Sequence, residues 1–451
     1  MNNISIGSVC SGIEAASVAL NDPAFNIQWF SEIDSFPSNL LSVKYPNIQN
    51  IGNMNGLPGL IKNKQVDSPD MICGGTPCQA FSLAGWKEGL ADDRGNLTLK
   101  FVEIIKSNDL IRLDKKMPST IVLWENVEGV LNDKTNAFGC FLSSLIGLDS
   151  EIKMLKWPKS GLLRGPKRNV AWRVLDSKYF GLPQQRRRLY LLSGGNDFFP
   201  ENILFDDLPG KFIDYKETNQ PISFKKNKQE IEVFRHYTDC LYSAYGTKWN
   251  GNAAAYNGSL FVAQNGRLRR MTPIECERLM GFPDNYTDIA GAKSTNRYQS
   301  LGNSWSIPVI SWIGKRLLDK HNYSQSRINK KYHSYKVNLK NPSPDTKMFL
   351  IPSSTKFEQL DMFSEKDLNG SPIPNDYKLG KIKDIIFTNA DEKYYISPVG
   401  CKGILRRAEE RGININLRLK YYLRFIASKM SDKDIEKISR IQPRGSYINN
   451  S

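Results

Sequence analysis

Short apolar runs punctuate the first two hundred residues: Ile4-Ser5-Ile6-Gly7-Ser8-Val9, Gln28-Trp29-Phe30, Met71-Ile72-Cys73, Thr120-Ile121-Val122-Leu123-Trp124 and Leu189-Tyr190-Leu191-Leu192. Each is short, rich in β-branched or aromatic residues and followed by polar, Gly or Pro residues, which predicts a strand buried on both faces. Between them lie helical stretches, the first from Ile13 to Leu20 after a Ser11-Gly12 turn. Alternation of this kind predicts an α/β fold with a mostly parallel, doubly wound sheet. Such sheets bind ligands beyond the carboxyl ends of their strands. The turn Val9-Cys10-Ser11-Gly12-Ile13-Glu14, the acidic pair Glu32 and Asp34, and the loop after Cys73 all fall at such ends.

From about residue 196 to 266 the pattern breaks, and aromatics, Asn and Gly dominate, as in Tyr242 to Asn252. An irregular, loop-rich insert is expected there. Helical spacing returns at Thr272 to Met280, with Thr272 as N-cap and Pro273 at the first helical position. A second late helix runs from Ser306 to Leu318, and Asn341-Pro342-Ser343-Pro344 reads as a linker. The last fifty residues read as helical and basic: between Cys401 and Met430, eight Lys or Arg face two Glu.

Composition narrows the classes. The 451 residues are 40% hydrophobic and 24% charged, ordinary for a globular chain with more than one folding unit. No apolar run approaches the roughly 20 residues of a spanning helix, and Met1 to Ile4 lacks the start of a secretory signal. A soluble protein with no membrane partner is expected, located in the cytoplasm. Seven scattered cysteines and three histidines lack metal-ligand spacing, so no metal is expected. The formal charge of +16, from 62 Lys and Arg against 46 Asp and Glu, is what a phosphate backbone attracts.

The segment with most chemistry is Asp70-Met71-Ile72-Cys73-Gly74-Gly75-Thr76-Pro77-Cys78-Gln79-Ala80-Phe81-Ser82. A strand runs into Gly-Gly, and Pro77 stiffens the backbone just before Cys78. A cysteine held in a stiff loop at a strand end suits a thiolate nucleophile, whereas Cys73, inside the strand, reads as a small buried hydrophobe. Pro77-Cys78-Gln79 with Phe81-Ser82 resembles the nucleophile loop of cytosine-5 DNA methyltransferases. Further matches follow in the family's order: Asp93 to Leu97, Glu125-Asn126-Val127, Gln184-Gln185-Arg186-Arg187-Arg188, Arg270 to Pro273 through Gly281-Phe282-Pro283, and Gly302-Asn303-Ser304. The resemblance covers roughly residues 4–320.

It implies a Rossmann-like S-adenosylmethionine-dependent methyltransferase sheet over residues 1–195, completed by 299–321. A smaller target-recognition domain over 196–298 and a basic C-terminal extension over 322–451 would follow. The implied activity is methyl transfer to C5 of a cytosine flipped out of duplex DNA, through a covalent Cys78–C6 adduct, by bacterial or phage enzymes that act as monomers, some beside a restriction enzyme. Glu125 would hold a proton at N3, which requires a raised pKa. Arg186 would help hold the target base and its oxygen, Arg188 would belong to the same catalytic set, and Arg187, on the opposite strand face, would not. Gln79, Ser82, Asn126 and Gln184 would lie near the target base. Tyr245, Lys248, Asn250 and Asn252, in the target-recognition region, would offer stacking surface and hydrogen-bonding groups to the DNA. S-adenosyl-L-methionine would bind among Cys10, Gly12, Ile13, Glu32, Ile33, Asn53, Met54, Pro77, Leu97, Asn303 and Ser304, with Glu32 gripping ribose hydroxyls bidentately.

The chain departs from the family pattern in the first turn, where Cys10 replaces a phenylalanine and Glu14-Ala15 replaces Gly-Gly; Asn53 stands where an acid is usual. Residues 397–412 resemble a tail of some phage-type members and are expected to contact phosphates. An RNA substrate and a non-catalytic DNA-binding role are the competing readings. A nicotinamide oxidoreductase is disfavoured by the missing glycine fingerprint.

Overall fold

Met71 to Gly74 has no exposed residue, so this run can only lie in the interior of a sheet, covered on both faces. The computed structural model describes residues 3–77, 97–154, 156–207, 220–246, 256–319, 326, 334–335, 346–351 and 368–438. They form two compact units. The larger comprises Met1–Tyr215, Cys240–Gly246 and Glu277–Gly380; the smaller comprises Lys216–Asp239, Thr247–Cys276 and Lys381–Ser451.

In the larger unit the strands are β1 (Ile4–Val9), β2 (Phe25–Ser31), β3 (Gln49–Asn50), β4 (Met71–Gly74), β5 (Ile121–Val127), β6 (Ser160–Arg164), β7 (Asn169–Asp176) and β8 (Arg187–Gly194). The sheet order is β3-β2-β1-β4-β5-β8-β7-β6, extended by Lys347–Leu350 and Ser334–Tyr335. β3, β2, β1, β4 and β5 pair in parallel. From β5 outward every pairing is antiparallel. The expected mostly parallel sheet is therefore parallel in one half only. The connections from β6 to β7 and from β7 to β8 are short, leaving room for hairpins but not for crossover helices.

Along β5 the side chains alternate faces, with Val122 and Trp124 in one apolar layer and Leu123 in the other. The Trp124 layer is closed by α3 (Leu57–Lys62), α4 (Leu97–Asp114) and α5 (Ala137–Ile146), through residues such as Ile61, Phe101 and Phe138. Phe141 of α5 lies with its ring centroid 4.5 Å from that of Trp124. The Leu123 layer is closed by α1 (Ala15–Ala19) and by α8 (Ile307–Leu318), whose Ile310, Ile313 and Leu317 recur at helical spacing. Helix α1 is shorter than the expected stretch because Glu14 takes a left-handed conformation at its N-cap.

In the smaller unit, β9 (Ile222–Lys226), β10 (Gln229–Val233), β11 (Phe261–Gln264) and β12 (Arg267–Arg270) form an antiparallel sheet in sequence order. The expected irregular insert thus contains two hairpins, over residues 222–233 and 261–270. Their tight turns are Asn227-Lys228 and Asn265-Gly266, each with both residues at positive φ, the geometry that matches strand twist. Helices α9 (Pro398–Glu410) and α10 (Leu417–Ala427) bury Cys401, Ile404, Leu419 and Leu423 with Phe261 and Leu268 of the sheet. A four-stranded sheet needs one apolar face covered, and the far end of the chain supplies that cover. The unit boundaries consequently differ from the expected 196–298 and 322–451: residues 381–451 join the insert, and residues 196–215, 240–246, 277–298 and 322–380 join the larger unit.

Candidate active site

Five parallel strands point their carboxyl ends to one edge, and at that edge lies a cavity of about 730 Å³. Strand β8 runs antiparallel to β5, with Val127 opposite Arg188 and Glu125 opposite Tyr190. The start of β8 therefore meets the end of β5. That is why Arg186 and Arg188, at the start of one strand, share the cavity with Glu125 near the end of another.

The first wall is the turn after β1. Cys10, Gly12 and Glu14 all have positive φ, near 50°, 55° and 59°. For the two non-glycine residues this costs on the order of 1 kcal/mol or more each, a strain typical of functional turns. The turn is held by Glu14, whose buried carboxyl accepts from Ser8 Oγ at 2.9 Å and from Ser17 N at 3.1 Å. Burial raises its pKa to about 7 against the pull of those bonds. Cys10 is likewise pushed up, to about 12, by burial and then by Glu32, so its thiol keeps its proton.

Glu32, beyond β2, accepts from Gly12 N at 2.7 Å through Oε2 and from Ile33 N and Asp34 N through Oε1. A carboxylate offers about four acceptor positions; three are taken, and the remaining one lies on Oε2. The bidentate grip expected of Glu32 is thus reduced to a single acceptor. Ile33 beside it is 71% exposed at the cavity wall, an apolar platform. Asn53 Oδ1 accepts from Asn55 N at 3.0 Å, and buried Met54 lies 3.7 Å from Cys10 sulfur to sulfur.

The second wall holds Glu125, Asn126, Arg186 and Arg188. Glu125 Oε1 lies 3.2 Å from Arg188 Nε, yet the alignment leaves this buried oxygen without a hydrogen bond. Burial pushes the Glu125 carboxyl above its ordinary pKa, against the opposing pull of Arg188 and Arg186. Arg186 is fully buried: Nη1 donates to Leu241 O at 3.3 Å, and Nη2 donates to Gly302 O at 3.2 Å and Ser304 O at 2.5 Å. Its Nε remains unpaired. Arg187 points away and pairs with Glu128, as the strand alternation requires.

Cys78, Gln79 and Ser82 lie outside the described residues, but the chain leading to them is anchored. Thr76 Oγ1 accepts from Trp124 Nε1 at 2.9 Å and meets Thr98 Oγ1 at 3.0 Å. Thr98 Oγ1 donates to Pro77 O, and Asn126 Nδ2 donates to Thr76 O at 2.9 Å. Asn126 thus acts on the loop backbone as well as lining the cavity. Pro77, Leu97, Ile13, Asn303 and Ser304 complete the expected lining.

Two expected substrate residues lie elsewhere. Gln184 is fully buried, donating to Leu279 O at 2.8 Å and accepting from Leu241 N at 2.9 Å, and it does not line the cavity. Tyr245 packs edge-on against Tyr298, ring centroids 5.0 Å apart, in the larger unit. Lys248, Asn250 and Asn252 lie outside the described residues.

Several lining residues were missed. Asn296, Gln299 and Ser300 share one face of α7 (Ser294–Asn303) with the expected Asn303, a helical spacing that Asn303 makes readable. Cys240 had no signal: its sulfur accepts from Arg186 Nη1 at 3.2 Å and from Arg188 Nη2 at 3.5 Å, a contact made only by folding.

Fold and cavity together define a Rossmann-like methyltransferase architecture. The chain belongs to the C-5 cytosine-specific DNA methylase family, whose model matches residues 4–319. It is 30% identical to the DNA N-6-adenine-methyltransferase of Escherichia phage P1, over 70% of this chain and 61% of that one. It is 28% identical to the type II methyltransferase M.BsuFI of Bacillus subtilis, over 60% of this chain and 63% of that one. The chain thus spans about three fifths of the length of these relatives. Among solved structures, a mutant of Spodoptera frugiperda DNMT2 is similar at 19% identity and a TM-score of 0.47, over 70% of this chain and all of the other.

Proposed function

We propose that the chain is a DNA (cytosine-5-)-methyltransferase, acting on a cytosine turned out of duplex DNA, with S-adenosyl-L-methionine as methyl donor. The observation that carries this reading is Glu125: a buried carboxyl with a raised pKa and an oxygen that sits beside Arg188 yet accepts no hydrogen bond, in one cavity with two guanidiniums and with the anchored approach to Cys78.

The donor set fits a sulfonium nucleoside. No phosphate cradle is required, Glu32 keeps one acceptor position for a ribose hydroxyl, Ile33 offers an apolar face, and the carboxylates favour a cation. Asn53, Asn303 and Ser304 would bind the remaining polar edges. When bound, S-adenosylmethionine supplies an electrophilic methyl group.

The chain's own groups do the rest. The Cys78 thiolate adds to C6 of the ring, and Glu125 gives its proton to N3 as negative charge develops there, leaving C5 enamine-like. Once C5 is methylated, its proton departs to water, the C6–sulfur bond breaks, and N3 returns its proton to Glu125. Arg186, locked to the carbonyls of Leu241, Gly302 and Ser304, keeps its own Nε as a donor for the base. Arg188 holds Glu125 in place. Base extrusion costs a few kcal/mol, and the smaller unit is proposed as the target-recognition region that helps meet it.

Incubation with DNA containing 5-fluorocytosine should trap a covalent adduct at Cys78 of the wild type. Cys78→Ala should bind cofactor and DNA yet form no 5-methylcytosine. Trapping at another cysteine, or N6-methyladenine as the product, would overturn the proposal.

A further inference from the structure

Helix α10 buries one face and leaves an unusual one. Leu419, Tyr422, Leu423 and Ile426 pack into the core of the smaller unit. Leu417, Tyr421 and Phe425, spaced by four, form a single stripe on the other side, 86%, 54% and 45% exposed. An exposed apolar residue needs no explanation when it stands alone. Three in register on one helix do, and these three are interleaved with Lys420 and Arg424, which line the same shallow depression.

The stripe is pre-organised. Tyr421 and Phe425 lie parallel, ring centroids 6.3 Å apart and planes within 3°. Arg418 sits 5.0 Å from the Tyr421 ring centroid and is itself fixed by Glu232, at 2.7 and 3.0 Å. Lys429 Nζ lies 4.7 Å from the centroid of Phe425. Glu232 therefore neutralises Arg418 and leaves Lys420 and Arg424, with Lys429 just beyond the helix end, as the charges of the exposed face; among the described residues none of the three is in ion-pair distance of a carboxylate. Helix α10 contains no acidic residue.

We infer that this face of α10 is a second docking surface for duplex DNA, with Lys420 and Arg424 on phosphates of the backbone and Leu417, Tyr421 and Phe425 against the deoxyribose edge. Charge complementarity selects the occupant: a face with two helix cations, Lys429 just beyond them and no acidic residue on the helix, on a chain of net charge +16, matches a polyanion. A helix places residues four apart about 6 Å from one another, so both cations reach one stretch of strand. The surface lies beyond the residues matched by the family model, which end at 319. It extends the proposed function and rests on duplex DNA being the substrate.

The test uses the full chain and a fluorescent duplex, with affinity read by anisotropy from about 50 to about 200 mM salt. Lys420→Gln with Arg424→Gln should weaken binding about tenfold and make the slope of log K against log salt shallower by about 2, since each phosphate contact contributes about 0.9. The single substitutions should each move the slope by about half of that, so the reading survives should the double variant fold poorly. Tyr421→Ala with Phe425→Ala should weaken binding about fivefold through lost apolar contact while leaving the slope unchanged. Turnover at saturating DNA should stay at the wild-type level in all of them. An unchanged affinity and slope in the charge variants overturns this inference alone. Self-association that disappears in Tyr421→Ala with Phe425→Ala, with DNA binding intact, would assign the face to a second copy and overturn it too. Failure of the wild type to bind duplex DNA would instead remove the proposed function.

Discussion

The two walls of the cavity are built from the same kinds of side chain and finished differently. At the wall formed after β1 and β2, polar groups are engaged by nearby backbone: Glu32 takes three N–H groups and Asn53 caps its own turn. At the wall formed by β5 and β8, Glu125 and Arg186 are buried deeper yet each keeps an unpaired atom. A buried polar atom left unpaired costs about 1–3 kcal/mol. The first wall is therefore a finished mould, stable without a ligand. At the second, a bound group that hydrogen-bonds to Glu125 Oε1 and Arg186 Nε would recover that cost.

The sharpest way to break this contrast is Glu125→Gln. It keeps the shape and removes the titratable proton, so turnover should fall by about 10²- to 10⁴-fold while cofactor affinity stays within about twofold. Single-turnover methyl transfer with equilibrium binding measures both, and a loss confined to binding would refute the assignment. In the wild type, activity should decline as pH rises through the raised pKa of Glu125, because the proton it holds is then lost.

The next effect concerns Glu14. Its unfolded carboxyl ionises near its ordinary value of 4.5, while the folded one holds its proton to about 7. Between those values the folded state binds more protons, so stability should fall as pH rises and level off above about 7. The span corresponds to about 3 kcal/mol. Glu14→Gln should flatten that slope in urea titrations from pH 4.5 to 8; an unchanged slope would place the titration elsewhere.

The smallest effect belongs to Glu32→Gln. The new amide cannot accept equally from Gly12, Ile33 and Asp34, so cofactor affinity should drop about tenfold. Turnover at saturating cofactor should stay nearly constant. A large fall in turnover would erase the distinction between the walls.

Legibility followed how local each signal was. Strands β1, β4 and β5 were plain because each is apolar on both faces. Strands β6 and β7 were passed over because Arg164, Asn169, Arg173 and Asp176 interrupt their runs; Arg173 is buried by bonds to Leu204 O, Ser371 O, Ile373 O and Asp206, partners remote in sequence. The insert read as irregular although Asn265-Gly266, between Phe261–Gln264 and Arg267–Arg270, is a strong hairpin turn. Gln184 and Tyr245 were assigned to substrate from motif and composition, and folding turned both inward.

What the chain settles by itself is whatever depends on neighbours within a few residues: alternating strands and helices, the Pro77-Cys78 loop, the acid ending β5 and the arginine opening β8. Tertiary structure decides the rest. Which acceptors on Glu32 stay free, that Cys240 rests against two guanidiniums, and that the last helices cover the insert's sheet are set by contacts between segments far apart in the chain. Such contacts arise only when apolar faces are forced together, and the polar groups carried in with them must then find partners wherever the packing has left them.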